Sequence, residues 1–405
     1  MKQKKERKRI IKIAISVLIV VGVYFFGYVT GHENLVFEKN LKPTITNREL
    51  YKPRQVDFSF FWTVWNKVTT EYVGTVDTQK MLEGAIKGMV DAVGDPYTVF
   101  MNADEAKSYA EGLSGQFSGI GAQLDQKDGQ IIVVAPLAGT PAEKADLKPQ
   151  DIILKIDDTS TDKMSIDEAI GKIRGPEGTK VKLSIMREGW SEPKDFTIER
   201  AKITVKSVKW EMKDGNVAYI SINQFGDDTT DLMKQAAKEI ADKKPKAIII
   251  DLRSNPGGYL ESAIDVSSLF VKNGSVVVKE QYKDNRIDEQ KTTLDPILAG
   301  PKIFILTNGG SASAAEITAG ALRDLNGSIL IGEKTFGKGV VQDLEELKGG
   351  ATLKVTIAQW LTPSGQTINK EGLKPDIEVG LSEDDAKANR DPQFDRALVE
   401  AGKVQ

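Results

Sequence analysis

The chain has 405 residues, 40% of them hydrophobic and 28% charged, the balance of a folded protein with room for two or three domains at roughly 150 residues each. It has no cysteine and one histidine, His32, beside a membrane-like segment, which excludes disulfides, thiolate metal sites, cysteine nucleophiles, histidine-based triads and catalytic zinc. The formal charge of −3 divides into +6 on residues 1–12 and −9 on the rest, a poor balance for neutralising phosphates, so nucleic acid is not an expected partner.

The basic segment 1–12 is followed by seventeen residues, 13–29, that carry no charge and have Tyr24, Phe25, Phe26 and Tyr28 at their outer end. That length is at the short end of what crosses a ~30 Å hydrocarbon core. The positive-inside rule keeps 1–12 in the cytosol and puts the remainder of the chain across the membrane. A cleaved signal peptide is the competing reading. The segment ends in YVTGHEN, with no small-x-small cleavage signature, so a single-pass anchor in a bacterial plasma membrane is expected, with the bulk of the chain on the extracytoplasmic side.

A polar linker, 30–49, leads into a helical module, 50–111. There Phe58, Phe60, Phe61, Val64, Trp65 and Val68 recur at helical spacing, then Met81, Leu82, Ala85, Ile86, Met89 and Val90, before Gly94-Asp95-Pro96-Tyr97 breaks the pattern. A short polar helix is predicted over 103–111. The module reads equally as helices packed on a neighbouring domain and as a surface for a homodimer or higher oligomer.

From 112 to 199 the grammar changes to short alternating strands, at 131–134, 152–156 and 181–186, with one helix over 166–173. That helix opens with a capping box, Ser165 and Glu168, and shows an apolar stripe of Ile166, Ala169, Ile170 and Ile173. Ahead of the strands, Ser118-Gly119-Ile120-Gly121-Ala122 lets successive backbone N–H groups converge on an anion such as a chain-terminal carboxylate. With the following PLAGTPAEKADLKPQDIILKIDD, residues 113–199 resemble a PDZ domain. The resemblance implies that a peptide C-terminus adds as an extra strand beside the helix. Gly119, Ile120, Gly121 and Ala122 would then meet the peptide end, and Ile166 and Ile170 its side chains.

Beyond Val217 the pattern is strand, helix, strand, with nearly continuous apolar runs (VAYISI, AIIIDL, KIFILT, SILIG) that signal parallel strands covered on both faces by helices. Ligands of such sheets sit beyond the carboxyl ends of the strands. Two of those ends carry unusual sequences, Asn255-Pro256-Gly257-Gly258 and Asn308-Gly309-Gly310-Ser311-Ala312-Ser313.

Ser313 opens an apolar helix, where free N–H groups would stabilise an oxyanion, although Ser313 with Glu316 is also a capping box. Lys338 lies between two glycines in FGKGVVQ. To act as a base near pH 7 its pKa must fall by roughly three units, about 4 kcal/mol of differential solvation, which burial among Phe336, Val340 and Val341 would supply. Lys334, beside Glu333, is the weaker candidate. Gln342 follows Lys338 by four residues, so on an extended strand both point to one face and the amide would hold the amine. With no histidine near, a serine and lysine dyad is the economical way to activate a hydroxyl.

Gly-Gly-Ser-Ala-Ser-Ala-Ala-Glu-Ile, Gly-Lys-Gly and Gln342, with Asp95-Pro96-Tyr97, IDLRSNPGG and Trp360-Leu361-Thr362-Pro363 in order, resemble the S41 family of C-terminal processing (tail-specific) proteases. The implied fold is multidomain α/β: an N-terminal transmembrane helix, a helical module, a PDZ-like β-rich domain inserted before an α/β crotonase-like protease core at 200–380, and a C-terminal helical segment at 381–405. By the same resemblance Ser313 is the nucleophile, Lys338 its base, Gln342 the residue orienting the lysine, and Ser311 structural. The N–H groups of Ala314 and of Gly257 or Gly258 would form the oxyanion hole. Arg174, at the end of the PDZ helix, would bridge to the protease when peptide is bound. Expected substrates are exported or membrane polypeptides with apolar C-termini, and no metal or cofactor is called for. The rival reading is a membrane-tethered PDZ adaptor or chaperone that binds peptides without cutting them.

Overall fold

The computed structural model describes residues 2–31, 35–37, 43–45, 56–127, 129–382, 384–385, 388 and 390–404; His32 lies outside the described residues. Residues 1–81 and 82–405 form two compact units. In the first, α1 (Lys2–Gly31) contains an apolar stretch, Ile11–Tyr28, long enough to cross a membrane and exposed throughout. Strands β1 (Leu35–Phe37) and β2 (Pro43–Ile45) pair antiparallel. Helix α2 (Ser59–Glu71) packs Phe61 edge-on against Trp62 and tilted against Trp65, and leaves Phe60, Trp62, Val64 and Val68 exposed. Helix α3 (Thr78–Asp91) runs across the boundary in sequence.

The second unit opens with β3 (Val99–Met101) and α4 (Ala103–Leu113), whose capping box, Asn102 with Glu105, fixes its start. A β-rich module follows: β4 (Gln116–Gly119), β5 (Ala122–Lys127), β6 (Gln130–Pro136), α5 (Pro141–Lys144), β7 (Ile152–Ile156), β8 (Thr159–Ser160), α6 (Ile166–Ile173), β9 (Lys180–Met186), β10 (Lys194–Glu199) and β11 (Ala201–Thr204). Its sheet runs β10-β9-β7-β6-β5, leaving β5 on an edge, while β4 pairs with β11 to close the module. Alternate residues Val181, Leu183 and Ile185 of β9 turn inward with Ile131, Val133, Ile153 and Ala169, and all are buried. Each such side chain contributes about 1.5–3 kcal/mol of burial.

The α/β core comprises β12 (Val208–Lys213), β13 (Val217–Ile222), α7 (Thr229–Lys243), β14 (Ala247–Asp251), α8 (Leu260–Ser268), β15 (Val276–Tyr282), β16 (Ile287–Lys291), β17 (Lys302–Thr307), α9 (Ala314–Asn326), β18 (Ile329–Gly332), β19 (Val340–Glu346), β20 (Thr352–Leu361), β21 (Ile377–Glu378) and α10 (Pro392–Gly402). One sheet runs β12-β13-β14-β17-β18-β21, parallel except for β12. Every residue of β14 is buried because both faces are covered. Ile248 and Ile250 face the cluster built with α7, α8 and α9, whereas Ala247 and Ile249 face Ala397 and Ala401 of α10. A second sheet runs β16-β15-β20-β19, and β3 adds to β20 through Val99, Phe100 and Met101.

Candidate active site

Strands β14 and β17 are neighbours in the parallel sheet, so the turns leaving their carboxyl ends meet. Asn255 is fully buried and ties them together. Its amide donates to the Ile222 carbonyl at 2.7 Å, its Oδ1 accepts the Gly257 N–H at 2.9 Å, and its own carbonyl accepts the Ala312 N–H at 2.9 Å. Gly257 (φ +98°) approaches the second turn so closely that a Cβ there would lie 2.7 Å from Ser313 Cβ. The Gly257 N–H is thus spent on Asn255. The bridge between Gly258 and Phe225 uses the Gly257 carbonyl and the Tyr259 N–H, leaving the Gly258 N–H out of it.

Ser313 sits at φ 53°, ψ −119°, not in the extended backbone that an ordinary helix cap adopts. A non-glycine residue held there carries strain of order 1–3 kcal/mol, a cost that clusters at functional sites. The neighbouring Ser311 is buried and committed, its hydroxyl donating to the Leu252 carbonyl at 2.8 Å and accepting the Asn308 N–H at 3.0 Å.

Glu316 was legible only as the far half of a capping box, and it does more. Fully buried, its carboxylate accepts the Ser313 N–H at 3.0 Å, the Gly337 N–H at 2.8 Å, the Lys338 N–H at 2.9 Å and the Thr335 hydroxyl. One side chain therefore fixes the backbone of the serine turn against that of the lysine loop. Burial pushes the Glu316 carboxyl up, and these four donors oppose that rise. The sequence signal for this wider role was weak, because the partners come from a loop twenty residues away.

Lys338 is partly buried, and Trp360 Nε1 donates to its carbonyl at 3.0 Å. Burial first, and the Lys354 ammonium second, push its amine below the ordinary lysine value, while Glu316 pulls it back. Of the residues expected to bury it, Phe336 is exposed, Val340 is buried and Val341 is partly buried, and the amine lies over the Tyr97 ring, 5.4 Å from Nζ to the ring centre. Lys334, the weaker candidate by sequence, is exposed.

Gln342 lines the same cavity as Lys338, but not through simple strand alternation. Lys338 precedes β19, and a bulge interrupts the register between Val341 and Gln342, which resets the facing of the side chains. The Gln342 amide donates to the Tyr97 carbonyl at 2.9 Å, and no hydrogen bond joins the Lys338 amine to Gln342 or to Ser313 Oγ among the described residues. Around these groups opens a cavity of about 860 Å3 that brings Ser313, Ala314, Gly257, Gly258, Lys338 and Gln342 to one space, with apolar walls from Leu260, Ile317, Ile357 and Trp360.

In the β-rich module, Gly119–Ala122 joins β4 to the edge strand β5, with α6 packed alongside β5. A Cβ on Gly121 (φ +76°) would lie 2.4 Å from Thr140 Cβ, so only glycine fits. Ile120 is buried in the module's core and offers the loop its backbone alone, whereas Ile166 and Ile170 of α6 are only partly buried. Arg174 stacks on the Phe117 ring at 4.6 Å, inside its own module. Arg200, which sequence reasoning passed over, caps α6 by donating to the carbonyls of Ile173 at 2.8 Å and Lys172 at 3.0 Å.

Family models match the chain as Peptidase family S41 over 216–379, as a PDZ domain over 132–187 and as an Activating protease CtpB N-terminal domain over 18–105. The Carboxy-terminal processing protease CtpA of Bacillus subtilis is 38% identical over 92% of this chain and 78% of its own length. The chain belongs to peptidase family S41. A "Probable CtpA-like serine protease" of Staphylococcus aureus is 40% identical over 82% of this chain and 66% of its own. The solved structure of the photosystem II D1 C-terminal processing protease covers 79% of this chain and 86% of that one at 26% identity, with a TM-score of 0.52. As an S41 peptidase the chain is a serine protease carrying a PDZ domain.

Among the residues of this S41 peptidase that its motifs did not single out is Arg253. It makes paired bonds to Asp251 and to Asp391, at 2.8 Å to each Asp391 oxygen, and donates a further bond to the Gln393 side-chain carbonyl at 3.1 Å. Tyr219 donates to the same Asp251 at 2.8 Å. The helix α10 is thereby fastened to the strand that ends in the Asn255 turn.

Proposed function

We propose that this peptidase is a membrane-anchored serine endopeptidase with a Ser313–Lys338 dyad, acting outside the cytosol on exported or membrane proteins whose apolar C-termini dock on its PDZ domain. The observation that carries the reading is Ser313 in a strained backbone conformation at the start of α9, facing the cavity that also holds a lysine whose amine burial drives toward neutrality. Ser313 Oγ attacks the scissile carbonyl while Lys338 Nζ takes its proton. The oxyanion is received by the N–H groups of Ala314 and Gly258, Gly257 being excluded because its N–H already serves Asn255. Lys338 then gives the proton to the leaving amine as the C–N bond breaks. Water, deprotonated by Lys338, hydrolyses the ester, and Ser313 regains its proton.

For the lysine to serve Ser313 its amine must reach the Ser313 hydroxyl across the cavity that both line, with Gln342 its orienting partner. The substrate end would lie along the free edge of β5 against Ile166 and Ile170, its carboxylate at Gly119–Ala122. Arg174, stacked on Phe117 two residues before that loop, would respond to the peptide and bridge toward the protease core. The exposed apolar stretch of α1 supports the anchor.

The test incubates the full chain, in detergent, with an unstructured protein ending in apolar residues, beside Ser313→Ala and Lys338→Ala, and reads the products by intact mass spectrometry. C-terminal fragments are expected from the unaltered chain alone. Cleavage that survives either substitution would overturn the dyad.

A further inference from the structure

The turn Asp95–Thr98 breaks a helical pattern in the sequence and contributes Asp95-Pro96-Tyr97 to the family resemblance, with no role assigned to Tyr97; in the fold its Tyr97 ring lies over the Lys338 amine. Its shape is fixed internally: Asp95 accepts the Tyr97 N–H at 3.2 Å and the Thr98 hydroxyl at 2.6 Å. It is also fixed to the protease sheet, since Thr98 Oγ1 accepts the Thr356 N–H at 3.1 Å and the next residues pair as β3 with β20. From this anchored turn Tyr97 makes two contacts with the site, its carbonyl accepting the Gln342 amide at 2.9 Å and its ring covering Lys338 Nζ.

We propose that Tyr97 is a positioning residue of the peptidase site, its carbonyl holding Gln342 and its ring roofing the Lys338 amine, so that a turn from the segment preceding the PDZ domain governs the state of the general base. This rests on the Ser313–Lys338 reading above. The charged groups acting on Lys338 are Lys354 from β20, which disfavours its ammonium, and Glu316 from α9, which favours it; Asp95 acts on Lys354. The ring has two opposed effects. Its π face attracts the ammonium, and its bulk keeps water off the amine. At 5.4 Å the contact is near the outer limit of about 6 Å for a cation over a ring, so exclusion of water is the larger effect. Removing the ring wets the amine and makes its charged form easier to keep.

The experiment follows the pH dependence of Ser313 labelling by a fluorophosphonate, on the full chain, with the modified residue identified by mass spectrometry. The Oγ–P bond forms, the P–F bond breaks, fluoride departs and Lys338 takes the hydroxyl proton, so the reaction needs the dyad and no substrate. For Tyr97→Ala the acid limb of the labelling rate is expected to move up by about one pH unit, a roughly tenfold loss below that limb. Tyr97→Phe, which keeps the ring, is expected to leave the limb in place. Should Tyr97→Ala not fold, Thr98→Val removes the hydroxyl bonds that tie the turn to Asp95 and to the Thr356 N–H and is expected to move the limb the same way. A limb that stays put in the folded variants, or a slower rate without a shift, overturns the role of Tyr97. Failure of Ser313 to label in the unaltered chain, or labelling that survives Lys338→Ala, overturns the dyad reading instead.

Discussion

Ser313 is held where a serine does not rest easily. Its φ of 53° with ψ of −119° suits glycine, and the cost is borne by the bonds of Glu316 and the close approach of Gly257. Ser313→Gly is therefore expected to abolish cleavage while raising stability by about 1–2 kcal/mol, whereas Ser313→Ala abolishes cleavage and keeps the strain. Chemical denaturation of the two variants side by side checks this, and equal stability would mean that the backbone there is relaxed. The motif around Ser313 was legible in the sequence. Its backbone strain was not, because that depends on contacts with Gly257 and Asn255 from a separate turn, and sequence spacing says nothing about such approaches.

At the scale of elements, α6 was read to the residue, Ile166–Ile173, because local chemistry marks both of its ends: the Ser165–Glu168 box at the start and Arg174 leaving helical geometry at the finish. The apolar stripe of α6 was equally plain, but only the fold assigns its members. Ala169 and Ile173 are buried in the core, whereas Ile166, packed against that core, and Ile170 are only partly buried. Ile170→Glu should therefore spare the core and spoil the groove. Cleavage of a protein with an apolar C-terminus is expected to lose about tenfold in kcat/KM, corresponding to about 1.4 kcal/mol of lost contact, with Tm little changed. An undiminished kcat/KM would remove Ile170 from the peptide site. What the sequence could not convey at this scale is pairing between distant segments. The addition of β3 to β20 and the bulge beside Gln342 join residues far apart in the chain, and it is these that bring Tyr97 to the lysine loop.

For the molecule as a whole, the proposed role of Lys338 as base would set activity and stability against each other. Lys338 is held below its ordinary value of 10.5 by burial and by Lys354, so in the unfolded chain it binds its proton up to a higher pH than in the fold. Between the folded value and 10.5 the unfolded chain carries more protons, and stability from this group rises with pH; below that window the full penalty of burying the ammonium remains. The carboxylates work in the opposite range. Burial pushes the Asp391 carboxyl up, but its bonds to Arg253 and to backbone N–H groups outweigh that and hold it below 3.8, so it contributes stability above that value and loses it as acid protonates the carboxylate. Replacing Lys338 by methionine keeps the length of the chain and removes the charge. Lys338→Met is expected to abolish cleavage and to raise Tm at neutral pH, with the difference from the unaltered chain shrinking as pH climbs toward 10.5. Thermal melts of both proteins across that range provide the measurement. A difference that grows with pH would mean that the fold favours the charged amine, and Lys338 could not then be the neutral base that Ser313 requires.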